Sequence, residues 1–373
     1  MDYHQGKPSV NDEKNRDDIG SLITATARPR LAAKLPGVGG IIKESVEDFQ
    51  VTEVPAYEPC GEGPHHYLWV ESRDIDGREL LQKLAAHFGV ARREIGTAGT
   101  KDKRAVTRQW VSLPAQLLGG DSRPEPEGLD ESVEILDVSR HGNKLRTGHL
   151  KGNRFSLVLR QTTPGGQALE KAAGAIAEQI AEEGLPNYYG LQRFGNDHSN
   201  LIAGWKWAVG GAAPKNHFLR RMAASALQSE IFNRVLARRL DDGTWKQVID
   251  GDIFMRLDSG GRFWIQPDER EETARRLAAR EIVVTGPMPG SKGGLARERA
   301  GQMELEIMDE MGLDEKMLGR FGRHAKGTRR ALTVYPEELN LELADEHSLR
   351  LDFFLPAGSY ATVLLREFIG YDE

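Results

Sequence analysis

Apolar and polar residues alternate in the first part of the chain, and this pattern then gives way to a helical period. Asp48 to Val54 and Tyr67 to Glu71 read as strands, joined by the turn-rich run Pro59-Cys60-Gly61-Glu62-Gly63-Pro64. Arg78 to Phe88 sets Leu80, Leu81, Leu84 and Phe88 on one helical face, with Asp76 and Glu79 at capping-box spacing. A charged loop, Gly89 to Lys103, leads into a strand at Gln109 to Leu113. Strands at Ser132 to Val138 and Phe155 to Arg160 flank a basic stretch. A helix over Ala168 to Glu183 presents Leu169, Ala172, Ala173, Ile176 and Ile180 and stops at Gly184-Leu185-Pro186.

Beyond this point the texture is mostly helical. His217 to Leu240 presents Phe218, Met222, Leu227, Ile231, Val235 and Leu236, while Asp268 to Arg280 and Gln302 to Met311 predict shorter helices. Strand signals return at Ala331 to Tyr335, Leu339 to Leu343 and Ser348 to Phe354, and a last helix follows Ser359. The simplest architecture is α+β, with an α-rich module inserted into a domain that the C-terminal strands and helix complete. Residues 1–39 lack periodicity and read as a flexible arm, with order expected from near Gly40.

A length of 373 residues favours two domains, and 28% charged with 39% hydrophobic residues is ordinary for a globular protein. No apolar run approaches the roughly 20 residues of a membrane span, and the first 30 residues lack a signal-peptide core, so a cytoplasmic address is expected. The lone Cys60 cannot form an internal disulfide, and the scattered histidines show no zinc-like spacing, so no metal is expected.

Net charge is −6, which alone argues weakly against a nucleic-acid partner, but its distribution argues the other way. Val138 to Leu169 contains no acid and carries Arg140, Lys144, Arg146, Lys151, Arg154 and Arg160. Lys316 to Pro336 is also acid-free, with Lys316, Arg320, Arg323, Lys326, Arg329 and Arg330. Either run alone reads as a solvated face. Beside the basic loop of Arg92, Arg93, Lys101, Lys103, Arg104 and Arg108, they point to a polyanion groove.

Three segments are dense enough in polar residues and glycine to carry chemistry. In Gly99-Thr100-Lys101-Asp102-Lys103, flanking cations hold the carboxylate ionised, fit to act as a nucleophile or base without a metal. Spacing alone favours Asp102 as a turn residue solvated between two lysines. Lys144 to Phe155 interleaves basic residues with glycine and ends in an aromatic, suiting a groove that tracks a backbone beside a stacking platform; an ordinary hairpin also fits. Pro186-Asn187-Tyr188-Tyr189-Gly190-Leu191-Gln192-Arg193-Phe194-Gly195 can stack on and hydrogen-bond a base, or pack as an aromatic hinge. Gly286 to Gly294 superficially suggests a phosphate loop but lacks Walker spacing, and no dinucleotide, kinase or GxSxG pattern is present, so no cofactor is expected.

Ala98-Gly99-Thr100-Lys101-Asp102, continued by Ala105, Thr107 and Gln109-Trp110, resembles the signature of the TruD family of pseudouridine synthases. Gly148 to Phe155 and Pro186 to Gly195 resemble two further motifs of that family in the same order. Gly40-Ile41-Ile42-Lys43 with Glu47-Asp48-Phe49, and Leu355 to Thr362, are similar as well. The resemblance covers roughly Gly40 to Ile369. It departs from the bacterial branch in a longer arm before Gly40 and in Tyr189, where phenylalanine is usual.

The resemblance implies a pseudouridine synthase catalytic domain with a mixed, largely antiparallel sheet over residues 40–183 and 331–373. A TruD-specific domain, residues 184–330, would interrupt it, with a basic cleft between the two. It implies Asp102 as the essential aspartate, Phe155 as the aromatic that stacks on the target uracil, and Asn153 and Lys43 as active-site residues. Lys101, Gln109, Asn187, Gln192 and Arg193 match motif positions, and with Lys103, Arg104, Lys144, Arg146, Lys151 and Arg154 they are the expected RNA contacts. The implied partner is tRNA and the implied reaction is isomerisation of uridine 13, in the D-stem region, without a cofactor. A non-catalytic RNA-binding or chaperone protein, a phosphate-loop transferase, and the same isomerase acting on another RNA site remain as alternatives.

Overall fold

The computed structural model describes residues 28–99, 101, 103–118, 124, 127–292 and 294–371. In chain order the principal strands are β1 (Phe49–Pro55), β2 (His65–Arg73), β3 (Gly96–Thr97), β4 (Val106–Pro114), β5 (Val133–His141) and β6 (Leu150–Leu159). β7 (Ile253–Arg256), β8 (Arg262–Trp264), β9 (Ile282–Met288), β10 (Thr328–Ala331), β11 (Glu337–Asp345) and β12 (Ser348–Pro356) follow. The helices are α1 (Gly77–His87), α2 (Gly166–Glu183), α3 (Ser199–Ala208), α4 (His217–Asp241), α5 (Arg270–Ala278), α6 (Glu298–Glu310), α7 (Glu315–Gly319) and α8 (Ala361–Ile369).

Two compact units result: residues 32–185 with 334–371, and residues 186–333 with the described residues 28–31. The expected arm lies outside the described residues as far as residue 27. Order begins upstream of Gly40. Ala32 and Val38 are fully buried, and the Val38 and Gly39 amides donate to the Phe368 and Ile369 carbonyls at 2.7 and 3.1 Å. Docking on α8 orders a segment whose composition gives no sign of it.

The first unit is built on a mixed sheet of eight strands among the described residues, in the order β11-β12-β6-β1-β4-β2-β5 with β3 also on β4. β1 and β4 pair in parallel, and the other pairs are antiparallel. α1 starts where it does because the Asp76 carboxylate accepts the Arg78 and Glu79 amides at 2.8 and 2.9 Å. It packs Leu80 and Leu84 onto Leu68, Val70, Val111 and Leu113 of the central strands. Burial alternates along β1, whereas the central strands β2 and β4 are buried at most positions.

The second unit is mostly helical, and it also contains an antiparallel sheet, β10-β9-β7-β8, that the pattern did not predict. β9 is buried at every position, so it shows no alternation. Gly286, expected in a loop, lies within this strand, where a Cβ would stand 2.8–2.9 Å from the Leu332 and Phe232 side chains; only glycine lets α4 approach. Phe218, expected on the buried face of α4, is 55% exposed, because burial there begins at Ala223. Arg329 is buried against Glu304 at 2.7 Å, and Arg239 against Asp252 at 2.6 Å.

Asp48 ties the start of β1 to the end of β6: Arg160 donates to it at 2.7–3.0 Å and the Ser45 amide at 2.9 Å. Burial pushes its pKa up, but the Arg160 hydrogen bonds and charge with the Ser45 amide outweigh this and hold the carboxyl below its ordinary value. A depressed carboxyl stabilises the fold above the unfolded value of about 3.9 and loses that contribution as pH falls through the folded value. The denaturant midpoint of the wild type should therefore fall more between pH 5 and pH 2 than that of Asp48→Asn, although the variant is the weaker at neutral pH. Parallel curves would remove Asp48 from the acid response.

Candidate active site

β1 and β4 pair only over Gln50–Thr52 and Val106–Arg108 before they part. β1 stays with β6, while the freed edge of β4 takes β3 at Val111 and Ser112. The loop from β3 to β4 thus leaves beside this fork, opposite Val111, and rejoins β4 at Val106, where the pairing with β1 begins. The segment Gly148-His149 holds its near end, with the Gly148 amide donating to Ala98 O at 2.9 Å and Tyr57 Oη 2.7 Å from His149 Nδ1.

Lys101 reaches into the fork. Its Nζ donates to Glu53 Oε2 at 3.0 Å and to Asn153 Oδ1 at 2.7 Å, and the side chains of Lys101 and Glu53 are 5% and 0% exposed. The other Glu53 oxygen accepts the Trp110 amide at 3.4 Å, closing the gap that β1 leaves on β4. A charge so deeply buried requires a partner, and each group here supplies the other's.

Register explains how Asn153 and Phe155 come to lie near this pair. Across β1, β6 and β12 the rows are Phe49–Leu157–Leu351, Val51–Phe155–Phe353 and Glu53–Asn153–Leu355, each on one face of the sheet. Phe155 is 9% exposed, stacked on Phe353 at 5.2 Å and edge-on to Phe49 at 6.5 Å. The Lys43 ammonium lies 4.0 Å from the centre of the Phe49 ring, on a backbone held at φ 58°, a left-handed conformation uncommon for lysine. At Gly152 a Cβ would stand 2.1 Å from Leu355 O, so glycine is required for β12 to close on β6. Asp102, the expected catalytic carboxylate, lies outside the described residues.

The remaining expected RNA contacts separate by burial. Lys103, Arg104, Arg146, Lys151 and Arg154 are exposed and Lys144 is half-buried. Arg104 donates to Glu44 O at 3.0 Å, Lys144 to Arg93 O, and Arg154 is paired with Glu338. Arg154 also lines an open depression of about 190 Å³ with Gln50, Thr52, Arg108, Ser156 and Asp352, bordering Phe155 and Phe353. Lys101 and Gln109 do not suit surface contact: the first is spent on Glu53 and Asn153, and the second is 1% exposed.

Asn187, Gln192 and Arg193 belong to the second unit. Asn187 is also buried, donating to Ala331 O at 3.0 Å and accepting from Arg330, so it holds the segment together. Arg193 donates to Ser225 and Ser229 and lies over Tyr189 at 5.2 Å, while Gln192 is exposed. Glu53 was not anticipated. The signal was available, since Phe49, Val51 and Glu53 share the inward period of β1 and an acid on that face needs a cation.

The family described as tRNA pseudouridine synthase D (TruD) matches residues 28–204 and 211–368. A tRNA pseudouridine synthase D of an Anaeromyxobacter species is 42% identical over 349 residues, which cover 92% of this chain and 96% of that protein. One of Thermus thermophilus is 43% identical over 339 residues, 91% of each. The fold is similar to a crystal structure from Methanosarcina mazei described as a putative tRNA pseudouridine synthase D, with TM-score 0.74 and 23% identity over 95% of this chain and 98% of that one. The protein is thus an enzyme of the pseudouridine synthase class, an isomerase. Within that class the chain belongs to the TruD family.

Removing one member of the buried pair should be costly. Lys101→Met leaves Glu53 buried without a cation, and denaturant titration should show a loss of about 3 kcal/mol or more. The double variant Glu53→Gln/Lys101→Met should recover most of it. A single variant as stable as the wild type would mean that the pair is not a buried ionic contact.

Proposed function

We propose that this protein isomerises uridine to pseudouridine in tRNA, at uridine 13 in the D-stem region, in the cytoplasm and with Asp102 as its catalytic carboxylate. One observation carries the reading beyond family membership: Lys101, the neighbour of Asp102 in the chain, is fixed in the sheet fork by Glu53 and Asn153 beside the ring of Phe155.

The reaction breaks the glycosidic bond, turns the freed uracil and rebonds it through C5, with no atoms gained or lost. Asp102 acts on the ribose, by attack on the sugar or by abstracting a sugar proton. Access requires the nucleotide to leave its stack, at a cost of a few kcal/mol, and an aromatic face returns roughly 1–3 kcal/mol of that. Phe155 is buried by Phe353 on one side and meets Phe49 edge-on, so it serves as a rigid platform rather than a mobile flap. Lys43 brings a cation to the same aromatic group.

Asp102→Asn should abolish pseudouridine formation while tRNA affinity stays within about threefold, read by nucleotide analysis of the RNA and by filter binding. Substantial residual turnover would remove Asp102 from the chemistry. Phe155→Ala should lower kcat more than it raises KM, and an unchanged kcat would leave the ring a core residue only. Mapping pseudouridine in tRNA from cells with and without the protein tests position 13.

A further inference from the structure

The second unit brings together two stretches that are far apart in sequence and share one property. His198 to Ser229 contains no aspartate or glutamate, and neither does Lys316 to Pro336. The first forms α3, the start of α4 and the turn between them; the second includes the turn after α7. Trp207 meets Phe321 at 4.9 Å and His324 at 5.7 Å, and the His217 and His324 rings are 4.7 Å apart. Arg320 comes as close to Gly210, its guanidinium 3.5 Å from where a Cβ there would stand. Packing thus joins the two runs into one surface.

The cations on this surface are not neutralised. Among the described residues, Lys206, Lys215, Arg220, Arg320 and Arg323 take part in no ion pair, whereas Arg154, Arg238 and Arg270 do. Arg220 is oriented by a bond from Nε to Pro214 O at 2.8 Å. Of the two acids that immediately precede the second stretch, Asp314 is engaged in capping α7 through the Met317 amide at 2.7 Å and Glu315 is the first residue of that helix. Burial lowers the His324 pKa, and the positive charges of His217, Arg323 and Arg220 lower it further, which is what a concentrated positive field does to a further cation. The amino end of the 25-residue helix α4 adds its dipole, and Phe218 and Leu219 in its first turn are 55% and 41% exposed.

We infer that this surface of residues 186–333 is a second RNA-docking site, where Lys206, Lys215, Arg220, Arg320 and Arg323 hold the phosphate backbone of the substrate RNA away from the nucleotide being isomerised. Uncompensated arginine and lysine beside exposed apolar side chains fit a nucleic-acid backbone, whereas a protein partner would be met by a surface with fewer unpaired charges. The inference rests on the reading that the substrate is RNA.

The test compares two triple variants of the full chain. Arg220→Gln/Arg320→Gln/Arg323→Gln removes charge from the surface, and Arg262→Gln/Arg275→Gln/Arg299→Gln removes as much from exposed positions elsewhere in the same unit. With unmodified tRNA, the first should raise Kd at least tenfold and flatten the slope of log K against log salt by about 2, since each phosphate contact contributes about 0.7–0.9. The second should change Kd less than threefold. The single variant Arg323→Glu, with an unchanged melting temperature, should weaken binding in the same direction, so that misfolding cannot imitate the result. Equal effects of the two triples, or an unchanged salt slope in the first, would overturn the proposal. A wild type that binds tRNA through these residues yet forms no pseudouridine would defeat the functional reading and leave the docking site standing.

Discussion

The buried contact between Lys101 and Glu53 is the constraint around which the first unit is arranged. A carboxylate at 0% exposure cannot be left alone, and among the described residues the cation that reaches it comes from the loop that bridges the fork between β1 and β4. Glu53 thus holds Lys101 through one oxygen and the Trp110 amide of β4 through the other. Asn153 completes the set through register alone, since β6 places it opposite Glu53. Such a pair is poor at raising stability compared with apolar residues of the same volume. Its value is selective: an alternative loop path would strand two charges, so one path is strongly favoured.

Much of the sheet was legible from its strand-forming runs. Burial alternates along β1, β11 and β12, whereas β2 and β4 are buried at most positions and were marked by their apolar content, and the helical period marked α1, α2 and α4. The sheet of the second unit was not legible. β9 is buried on both faces and so carries no period, and Gly286, Pro287 and Pro289 gave it the look of a loop. The packing of residues 32–39 on α8 was hidden for another reason: what orders them is a surface more than 300 residues away in sequence, as the Ala32 amide on Glu367 shows.

The candidate site was legible in its motifs and not in the division of labour within them. Lys101 and Gln109 belong to the recognised segment, yet burial assigns both to the interior. A lysine beside an aspartate reads naturally as a surface cation; only an acid at an inward position of a neighbouring strand says otherwise, and Glu53 had the period but not the interpretation. Asn187 is likewise buried in the second unit, where its amide links Ala331 and Arg330. Motif membership identified positions that matter without saying whether they touch substrate or hold what does.

Charge makes the complementary point. A net charge of −6 would place this chain among proteins indifferent to polyanions, yet the sum says little because the two signs are segregated along the chain. Acids cluster in stretches such as Glu298 to Glu315, while His198 to Ser229 and Lys316 to Pro336 have none. At physiological salt a phosphate responds to charge within about 8 Å, so what it meets is the local surface and not the whole molecule. Only packing could reveal that the two acid-free stretches meet, because nothing in the spacing of His217 and His324 along the chain predicts that their rings lie 4.7 Å apart.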